Sequence, residues 1–201
     1  MRDRAGGAAG DALRLRDRGA HQMRWVLIRH GQTQGNLERR YIGGRTDEPL
    51  CAAGRVSLAN RSYPTVRRVI VSPMRRCIET ARLIYPQIEP EIVEDFRECD
   101  FGVFENQSYE ELCHRADYQA WIDSGGEMRF PGGECRAEFA QRCAAAFARL
   151  DAREDTALVV HGGTIMAIMA ENAVPKGNYF DFQVKNGEGY ALLADGRYEK
   201  I

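Results

Sequence analysis

Short apolar runs recur along this chain and are separated by longer amphipathic segments. Residues 25–28, 69–71 and 157–160 are each uninterrupted apolar runs. A run of this length without polar alternation predicts a strand that is buried on both faces. The weaker strand candidates are residues 91–94 and residues 180–201, the latter with turns at Asn186-Gly187 and Asp195-Gly196. The three strong runs predict the centre of a sheet that is covered on both sides.

The segments between these runs have the spacing of amphipathic helices. The clearest spans residues 135–150, where Cys135, Phe139, Cys143 and Phe147 fall on one face. Ser72-Pro73 predicts the start of another helix, to about residue 85, because Ser is a good N-cap and Pro suits the first helical position. Further helices are predicted at residues 52–60, 109–115 and 118–123, and from residue 162 to about residue 171.

The alternation of buried strands with helices predicts an α/β fold. We expect a single-domain, three-layer α/β/α sandwich with a mostly parallel central sheet. Ligands of such sheets bind beyond the carboxyl ends of the strands. The first strong strand is followed by His30 and the third by His161, so both histidines are expected at one edge of the sheet.

Residues 1–22 differ in composition from the rest of the 201-residue chain. They are rich in Gly, Ala and Arg and lack apolar periodicity. We expect a disordered extension or a misassigned start, followed by one domain over residues 23–201. A mitochondrial transit peptide is the alternative, but this segment has three Asp and no Ser, whereas transit peptides are Ser-rich and poor in acidic residues.

Charge and composition exclude several classes of partner. Lys and Arg number 28 against 29 Asp and Glu, so there is no basic excess of the kind that nucleic-acid binding favours. The longest apolar runs have only a few residues, as in residues 165–170, whereas a membrane span needs about 20 residues. Six cysteines occur without a C-x-x-C pair, which indicates reduced thiols in a cytoplasmic protein and no zinc site.

The segment after the first strand combines residue types that suit a phosphate group. It reads Arg29-His30-Gly31-Gln32-Thr33, with Asn36 three residues further on. Arginine presents a fork of donors that matches phosphate oxygens, and glycine lets the backbone approach a ligand. A neutral imidazole in such a cradle is a competent nucleophile.

Five segments, in order, resemble the histidine phosphatase (phosphoglycerate mutase-like) superfamily. They are the R-H-G-x-T-x-x-N run from Arg29, Ser72 to Ala81 with an arginine four residues before Thr80-Ala81, the acidic loop Glu98 to Glu105, Pro131-Gly132-Gly133-Glu134, and Val159 to Gly163. The resemblance covers nearly all of the chain from Met23 onward. Phe104, Asn106, Cys51 and Cys135 depart from the usual pattern, without removing a catalytic group.

The resemblance implies a phosphatase site built from side chains alone, without metal or other cofactor. It implies His30 as the nucleophile that becomes phosphorylated, Glu98 as the proton donor, Arg29, Arg76 and His161 as ligands of the phosphoryl oxygens, and Asn36, Thr33, Gly162 and Gly163 as further phosphate-binding residues. Phosphoryl transfer needs mainly positioning and positive charge, which these side chains can supply. The anionic substrate is expected to raise the pKa of Glu98.

Two assignments compete with neighbouring residues. Arg75 adjoins Arg76, and only the spacing to Thr80 selects the latter. Glu98 lies in an acidic loop in which other carboxylates could serve as the acid, namely Asp95, Asp100 and Glu105.

The predicted activity is hydrolysis of a small phosphate ester by a monomer or homodimer. The chain most resembles the α-ribazole phosphatase group, so α-ribazole 5′-phosphate is a candidate substrate. Phosphoglycerate mutase is the first alternative, although mutases of this family are generally longer. A noncatalytic phosphate-binding protein is the second, and loss of a histidine or of the acid would indicate it; all are present.

Overall fold

The computed structural model describes residues 23–151 and 153–201, so the prediction for residues 1–22 lies outside the described residues. The strands are β1 Arg24–Arg29, β2 Arg68–Val71, β3 Glu91–Ile92, β4 Thr156–Val160, β5 Gly189–Leu193 and β6 Tyr198–Lys200. The α-helices are α1 Gln34–Leu37, α2 Ala52–Ala59, α3 Arg75–Ile84, α4 Tyr109–Leu112, α5 Ala116–Asp123, α6 Arg136–Ala148 and α7 Gly162–Asn172. Short 3₁₀ helices span Glu94–Phe96, Gly102–Phe104 and Tyr179–Phe182.

The strands form one six-stranded mixed sheet in the order β3-β2-β4-β1-β5-β6. The first four are parallel, and β5 and β6 run antiparallel at one side. Arg29 pairs with Val160, and Val71 pairs with Val159. The carboxyl ends of β1, β2 and β4 are therefore level, so the residues that follow them meet at one edge of the sheet.

Helices cover both faces of this sheet. On one face, the β1 and β4 side chains Leu27 and Leu158 pack with Phe147 of α6 and Ile165 of α7. On the other, Val26, Val69 and Val159 pack with Cys77 and Ala81 of α3. The predicted α/β/α sandwich with a mostly parallel centre is thereby confirmed. In the described part of the chain, no helix has the length and apolarity that crossing a bilayer requires.

One predicted helix start is wrong. Helix α3 begins at Arg75 with Met74 as its N-cap, and Ser72 lies before the bend formed by Pro73 and Met74. The Ser72 hydroxyl instead lies 2.7 Å from His161 Nε2, and it accepts a hydrogen bond from the Met74 N–H at 3.3 Å. This contact between two strand ends holds Ser72 in the edge of the sheet rather than in the helix.

Two further predictions differ in detail. The helix predicted at residues 109–115 ends at Leu112. In the last segment, Tyr179–Phe182 is a 3₁₀ helix rather than a strand, and only the Asp195-Gly196 turn joins two strands. The Asn186-Gly187 turn precedes β5, and the side chain of Asn186 reaches the loop after β1.

Candidate active site

His30 follows β1 directly, and one hydrogen bond sets its tautomer. Its Nδ1 lies 2.7 Å from the carbonyl oxygen of Gly31, which can only accept a hydrogen bond. Nδ1 therefore carries the proton, and in the neutral ring Nε2 keeps the lone pair. The Gly31 N–H donates to the Thr80 hydroxyl at 2.9 Å, which ties this loop to α3.

The surroundings of His30 keep its imidazole uncharged. The ring is almost fully buried. Burial holds the pKa of His30 well below its ordinary value, and the positive charges of Arg76 and Arg29 lower it further. A neutral imidazole with a free Nε2 lone pair is the form that can attack phosphorus.

The loop after His30 is held by its own side chains and by Asn186. Thr33 caps α1: its hydroxyl accepts from the Asn36 N–H, while the Asn36 side-chain oxygen accepts from the Thr33 N–H, both at 3.2 Å. Asn186 Nδ2 donates to that same oxygen at 3.2 Å and to the carbonyl of His30 at 3.0 Å. The oxygen of Asn36 is thus occupied, and its NH₂ group is the part that could donate to a ligand.

Two guanidinium groups lie near His30, that of Arg76 fully buried and that of Arg29 partly buried. Arg76 has no exposed surface, and its terminal nitrogens donate to the carbonyls of Thr46 at 2.8 Å and Gly43 at 3.2 Å. Arg29 Nη1 donates to the Val184 carbonyl at 2.7 Å. Within the described residues, the buried Nε of each arginine has no hydrogen-bond partner.

This arrangement is costly unless an anion binds. Arg76 forms no ion pair with a carboxylate of the described chain, and a buried charge without a counterion is strongly unfavourable. Arg75 differs, because its Nε lies 2.9 Å from Glu79 Oε1 and its side chain is 58% exposed. The structure therefore brings Arg76 into the site and leaves Arg75 outside it.

His161 follows β4 and lies beside His30. The two rings have centroids 5.3 Å apart at an interplanar angle of 67°. His161 Nε2 contacts the Ser72 hydroxyl, and Nδ1 lies 3.6 Å from Glu98 Oε2. Burial and the charge of Arg76 hold the pKa of His161 well below its ordinary value.

Among the acidic residues of its loop, Glu98 is the one that lies beside a histidine of the site, His161. Burial raises the pKa of its carboxyl, although Arg76 opposes the shift, so this pKa is already raised before any substrate binds. Glu105 is used by the preceding loop, where it accepts from the N–H of Gly43 and the hydroxyl of Thr46. The other two carboxylates form surface ion pairs, Asp100 with Arg45 and Asp95 with Arg149.

Gly162 and Gly163 form the first turn of α7, whose N-cap is His161. A Cβ on Gly162 would lie 3.4 Å from Arg29 Nε, and one on Gly163 would lie 2.7 Å from the ring of Phe139. Glycine at 163 therefore permits close packing of α7 against α6. The N-terminal end of this 11-residue helix lies at the site, where its dipole favours an anion.

The departures from the family pattern have local explanations. Asn106, where glycine is usual, has φ of 58°, a left-handed conformation that Asn tolerates better than most residues. Cys51 caps α2 by accepting from the Gly54 N–H at 3.3 Å, as a serine would. Phe104 is fully buried and contacts the rings of Tyr118 and Phe130.

Sequence reasoning missed three residues that organise the site: Ser72, Thr80 and Asn186. The sequence pattern predicts Ser72 as a helix cap, uses Thr80 only to select Arg76, and assigns Asn186 to a turn. The position of Ser72 directly after a buried strand was the available signal, because β2 ends at the same edge as β1 and β4. Among the described residues, no group of three or more His, Cys, Asp or Glu side chains could hold a metal ion, and metal-independent activity stays a prediction.

The chain is similar to several known proteins. The sequence profile of the histidine phosphatase superfamily (branch 1) matches residues 25–201. The "Adenosylcobalamin/alpha-ribazole phosphatase" of Salmonella typhimurium is 28% identical over 192 residues, which cover 85% of this chain and 94% of that protein. The "Probable phosphoglycerate mutase GpmB" of Salmonella typhi is 34% identical over 132 residues, or 61% of this chain and only 60% of the relative's length.

A solved structure has the same fold. The alpha-ribazole phosphatase from Shigella flexneri superposes with a TM-score of 0.73 at 27% sequence identity, covering 85% of this chain and 90% of that one. The match of the family profile to almost all of the described chain confirms the resemblance that the five sequence segments predicted. The chain belongs to the histidine phosphatase superfamily, branch 1.

Proposed function

We propose that this protein hydrolyses small phosphate monoesters through a phosphohistidine on His30. One observation carries the proposal: the Nδ1 contact with the Gly31 carbonyl leaves Nε2 with the lone pair, near two arginines whose buried Nε donors lack partners in the described chain. The nucleophile and the charge that a phosphoryl group requires are therefore adjacent. The family membership and the α-ribazole phosphatase relatives support the same activity.

The proposed reaction has two steps. His30 Nε2 attacks phosphorus and forms a P–N bond while the bond from phosphorus to the leaving oxygen breaks. Glu98, whose carboxyl pKa is raised by burial, transfers its proton to that oxygen. Water then attacks phosphorus, Glu98 accepts the proton of the water, and the P–N bond breaks to release phosphate and neutral His30.

The other residues have supporting roles in this proposal. Arg29, Arg76 and His161 hold the equatorial oxygens of the phosphoryl group, where charge develops. The Asn36 NH₂ group and the first turn of α7, at Gly162 and Gly163, add donors. Thr33 and Asn186 position the loop rather than contact phosphorus.

Within this class we propose α-ribazole 5′-phosphate as a candidate substrate, supported by the relatives that bear that name. The protein would act in the cytoplasm as a monomer or homodimer, and all six cysteines are free thiols, as a reducing compartment requires. Phosphoglycerate mutase activity is the alternative. Incubation with 3-phosphoglycerate separates the two, because a mutase isomerises it while a phosphatase releases phosphate.

The nucleophile can be tested directly. His30→Ala should lower the turnover of p-nitrophenyl phosphate by about 10³-fold or more, because no other group can attack from that position. Mass spectrometry of native enzyme quenched during turnover should find an acid-labile phosphate on His30. His114→Ala is the matched control, since His114 is exposed between α4 and α5. Near-native turnover of the His30 variant would overturn the proposal.

A further inference from the structure

A cavity adjoins the proposed acid, Glu98. It has a volume of about 420 Å³ and is lined by Glu98 and Gly163 together with aromatic side chains. We call it the aromatic cleft and define it by Tyr41, Phe101, Trp121, Phe130, Tyr179 and Phe180. Because Glu98 lines this cleft, a group bound in it would lie next to the carboxyl that protonates the leaving oxygen.

The rings of the aromatic cleft hold one another in place. Trp121 stacks on Phe130 with centroids 4.8 Å apart at 30°, and Tyr41 meets Phe101 edge-on at 5.5 Å. The Tyr41 hydroxyl also lies 2.9 Å from that of Tyr118. Such mutual contacts fix the ring orientations, so the cleft is preformed and a ligand does not have to order it.

The charges that line the aromatic cleft do not suit an anionic ligand. Arg136 is its one cationic lining residue in the described chain, and it forms an ion pair with Glu127 at 3.0 Å. Its guanidinium also lies over the rings of Phe180 and Tyr179, at 5.2 and 5.9 Å. The positive charge of Arg136 is therefore already engaged, so a carboxylate or a second phosphate in the cleft would find no free counterion among the described lining residues.

Apolar side chains at the cleft remain accessible to solvent. Ile122 is 43% exposed and Phe180 is 59% exposed, although both line the cleft. Exposed apolar surface that lines a concave site is typical of ligand binding. A cavity of about 150 Å³ suffices for benzene, so about 420 Å³ can hold a fused two-ring system and its linker.

We propose that the aromatic cleft binds the leaving group of the ester and selects an uncharged, flat, largely apolar ring system. This rests on the proposed phosphatase function, since it places the phosphoryl group at His30 and the ester oxygen beside Glu98. Selection comes from burial of the ring between the aromatic walls. It works against leaving groups that carry a carboxylate, such as glycerate.

The test compares two alkyl esters that differ in ring content, 1-naphthylmethyl phosphate and methyl phosphate. Burial of a large apolar group predicts a preference of about 10–100-fold in kcat/KM for the naphthylmethyl ester. Ile122→Glu places a carboxylate in the cleft and should reduce that ratio by about tenfold. Ile92→Glu is the matched control, because Ile92 is 55% exposed on the edge strand β3, and it should leave the ratio unchanged. Equal kcat/KM values, or a preference that survives Ile122→Glu, would overturn the proposal.

A binding measurement separates this inference from the reaction itself. Calorimetry with 1-naphthylmethylphosphonate and methylphosphonate needs no turnover. The naphthyl compound should bind more tightly, with a negative heat-capacity change that marks apolar burial, and Ile122→Glu should weaken it. If neither ester is hydrolysed but this pattern holds, the cleft stands and the proposed reaction fails. If both esters are hydrolysed and the two phosphonates bind equally, the reaction stands and the cleft assignment fails.

Discussion

The ring nitrogens of His30 and His161 have different hydrogen-bond partners, and this difference separates the chemistry available to the two histidines. A carbonyl oxygen holds the Nδ1 proton of His30 and leaves Nε2 for attack. His161 has its Nε2 occupied by the Ser72 hydroxyl and its Nδ1 near Glu98. His161 therefore lacks a free lone pair on Nε2, which agrees with the proposed roles of His30 as the nucleophile and His161 as a phosphate-binding group.

The role of Glu98 can be tested through the leaving group. A poor leaving group such as an alkoxide needs a proton when its bond to phosphorus breaks, whereas p-nitrophenolate needs little help. We expect Glu98→Gln to slow phosphorylation of His30 by alkyl phosphates by about 10²–10⁴-fold, and by p-nitrophenyl phosphate much less. Single-turnover phosphorylation is the measurement, because it excludes the later attack of water.

Asp95→Asn provides the matched control for that experiment. Asp95 belongs to the same acidic loop but forms a surface ion pair with Arg149. It should leave the ratio of the two phosphorylation rates unchanged. Equal slowing of both substrates by Glu98→Gln would remove Glu98 from the acid role.

The sequence predicted the site residues that belong to local motifs, and it missed the residues that reach the site through contacts with distant parts of the chain. Spacing to Thr80 selected Arg76, and the structure brings that arginine, rather than Arg75, into the site. Ser72 meets His161 from 89 residues away, and Asn186 meets His30 from 156 residues away. Such contacts depend on which strands are neighbours, and the order of strands is not encoded in any local pattern.

At the scale of elements, the buried strands were the most predictable part of the fold. Helices cover both faces of these strands, so nearly every side chain is apolar and the run is directly visible in the sequence. Helix boundaries were less predictable, since capping depends on which contacts compete for a side chain. Ser72 is the example: its hydroxyl bonds to His161, and Met74 becomes the N-cap of α3.

The N-cap of α2 leads to a stability prediction. Cys51 accepts from the Gly54 N–H through sulfur, which is a weak acceptor, whereas serine is among the preferred N-caps. We expect Cys51→Ser to raise the free energy of unfolding by up to about 1 kcal/mol and Cys51→Ala to lower it. Urea denaturation of the two variants measures both changes.

Cys113→Ser is the control for this effect. Cys113 follows α4, and its thiol donates to the Glu110 carbonyl rather than capping an N-terminus. A serine there should change the free energy of unfolding little. If Cys51→Ala proves as stable as the native protein, the sulfur does not act as a cap.

At the scale of the whole molecule, positive charge is concentrated at one edge of the sheet although the net charge of the chain is close to zero. The formal net charge is only -1, yet Arg29 and Arg76 lie together beside two neutral histidines at the carboxyl ends of the strands. The level ends of β1, β2 and β4 produce this concentration. Binding of an anion at this edge therefore needs no excess of basic residues elsewhere, which is why composition excluded nucleic acid without excluding a phosphate ester.

Burial of His30, His161 and Glu98 makes the free energy of unfolding depend on pH. His30 and His161 have pKa values well below the ordinary value of about 6.5, which they regain in the unfolded chain. Below that value the unfolded state binds more protons than the folded state, so the free energy of unfolding falls as pH decreases. Glu98 acts in the opposite direction, because its raised pKa gives stability that is present at low pH and lost as pH rises through that pKa.

Removing one buried histidine isolates its share of this dependence. Each histidine that stays neutral only in the folded state contributes a slope of up to about 1.4 kcal/mol per pH unit, starting below about pH 6.5. We expect His161→Gln to lose about that much of the slope relative to the native protein, since Glu98 is present in both and its contribution largely cancels. Urea denaturation at several pH values between about 7.5 and about 5 gives the slopes. His114→Gln, which changes an exposed histidine, should keep the native slope.

A slope for His161→Gln equal to that of the native protein would mean that His161 is already protonated in the folded protein. An imidazolium at this position would hold the phosphoryl group by charge rather than by a neutral hydrogen bond.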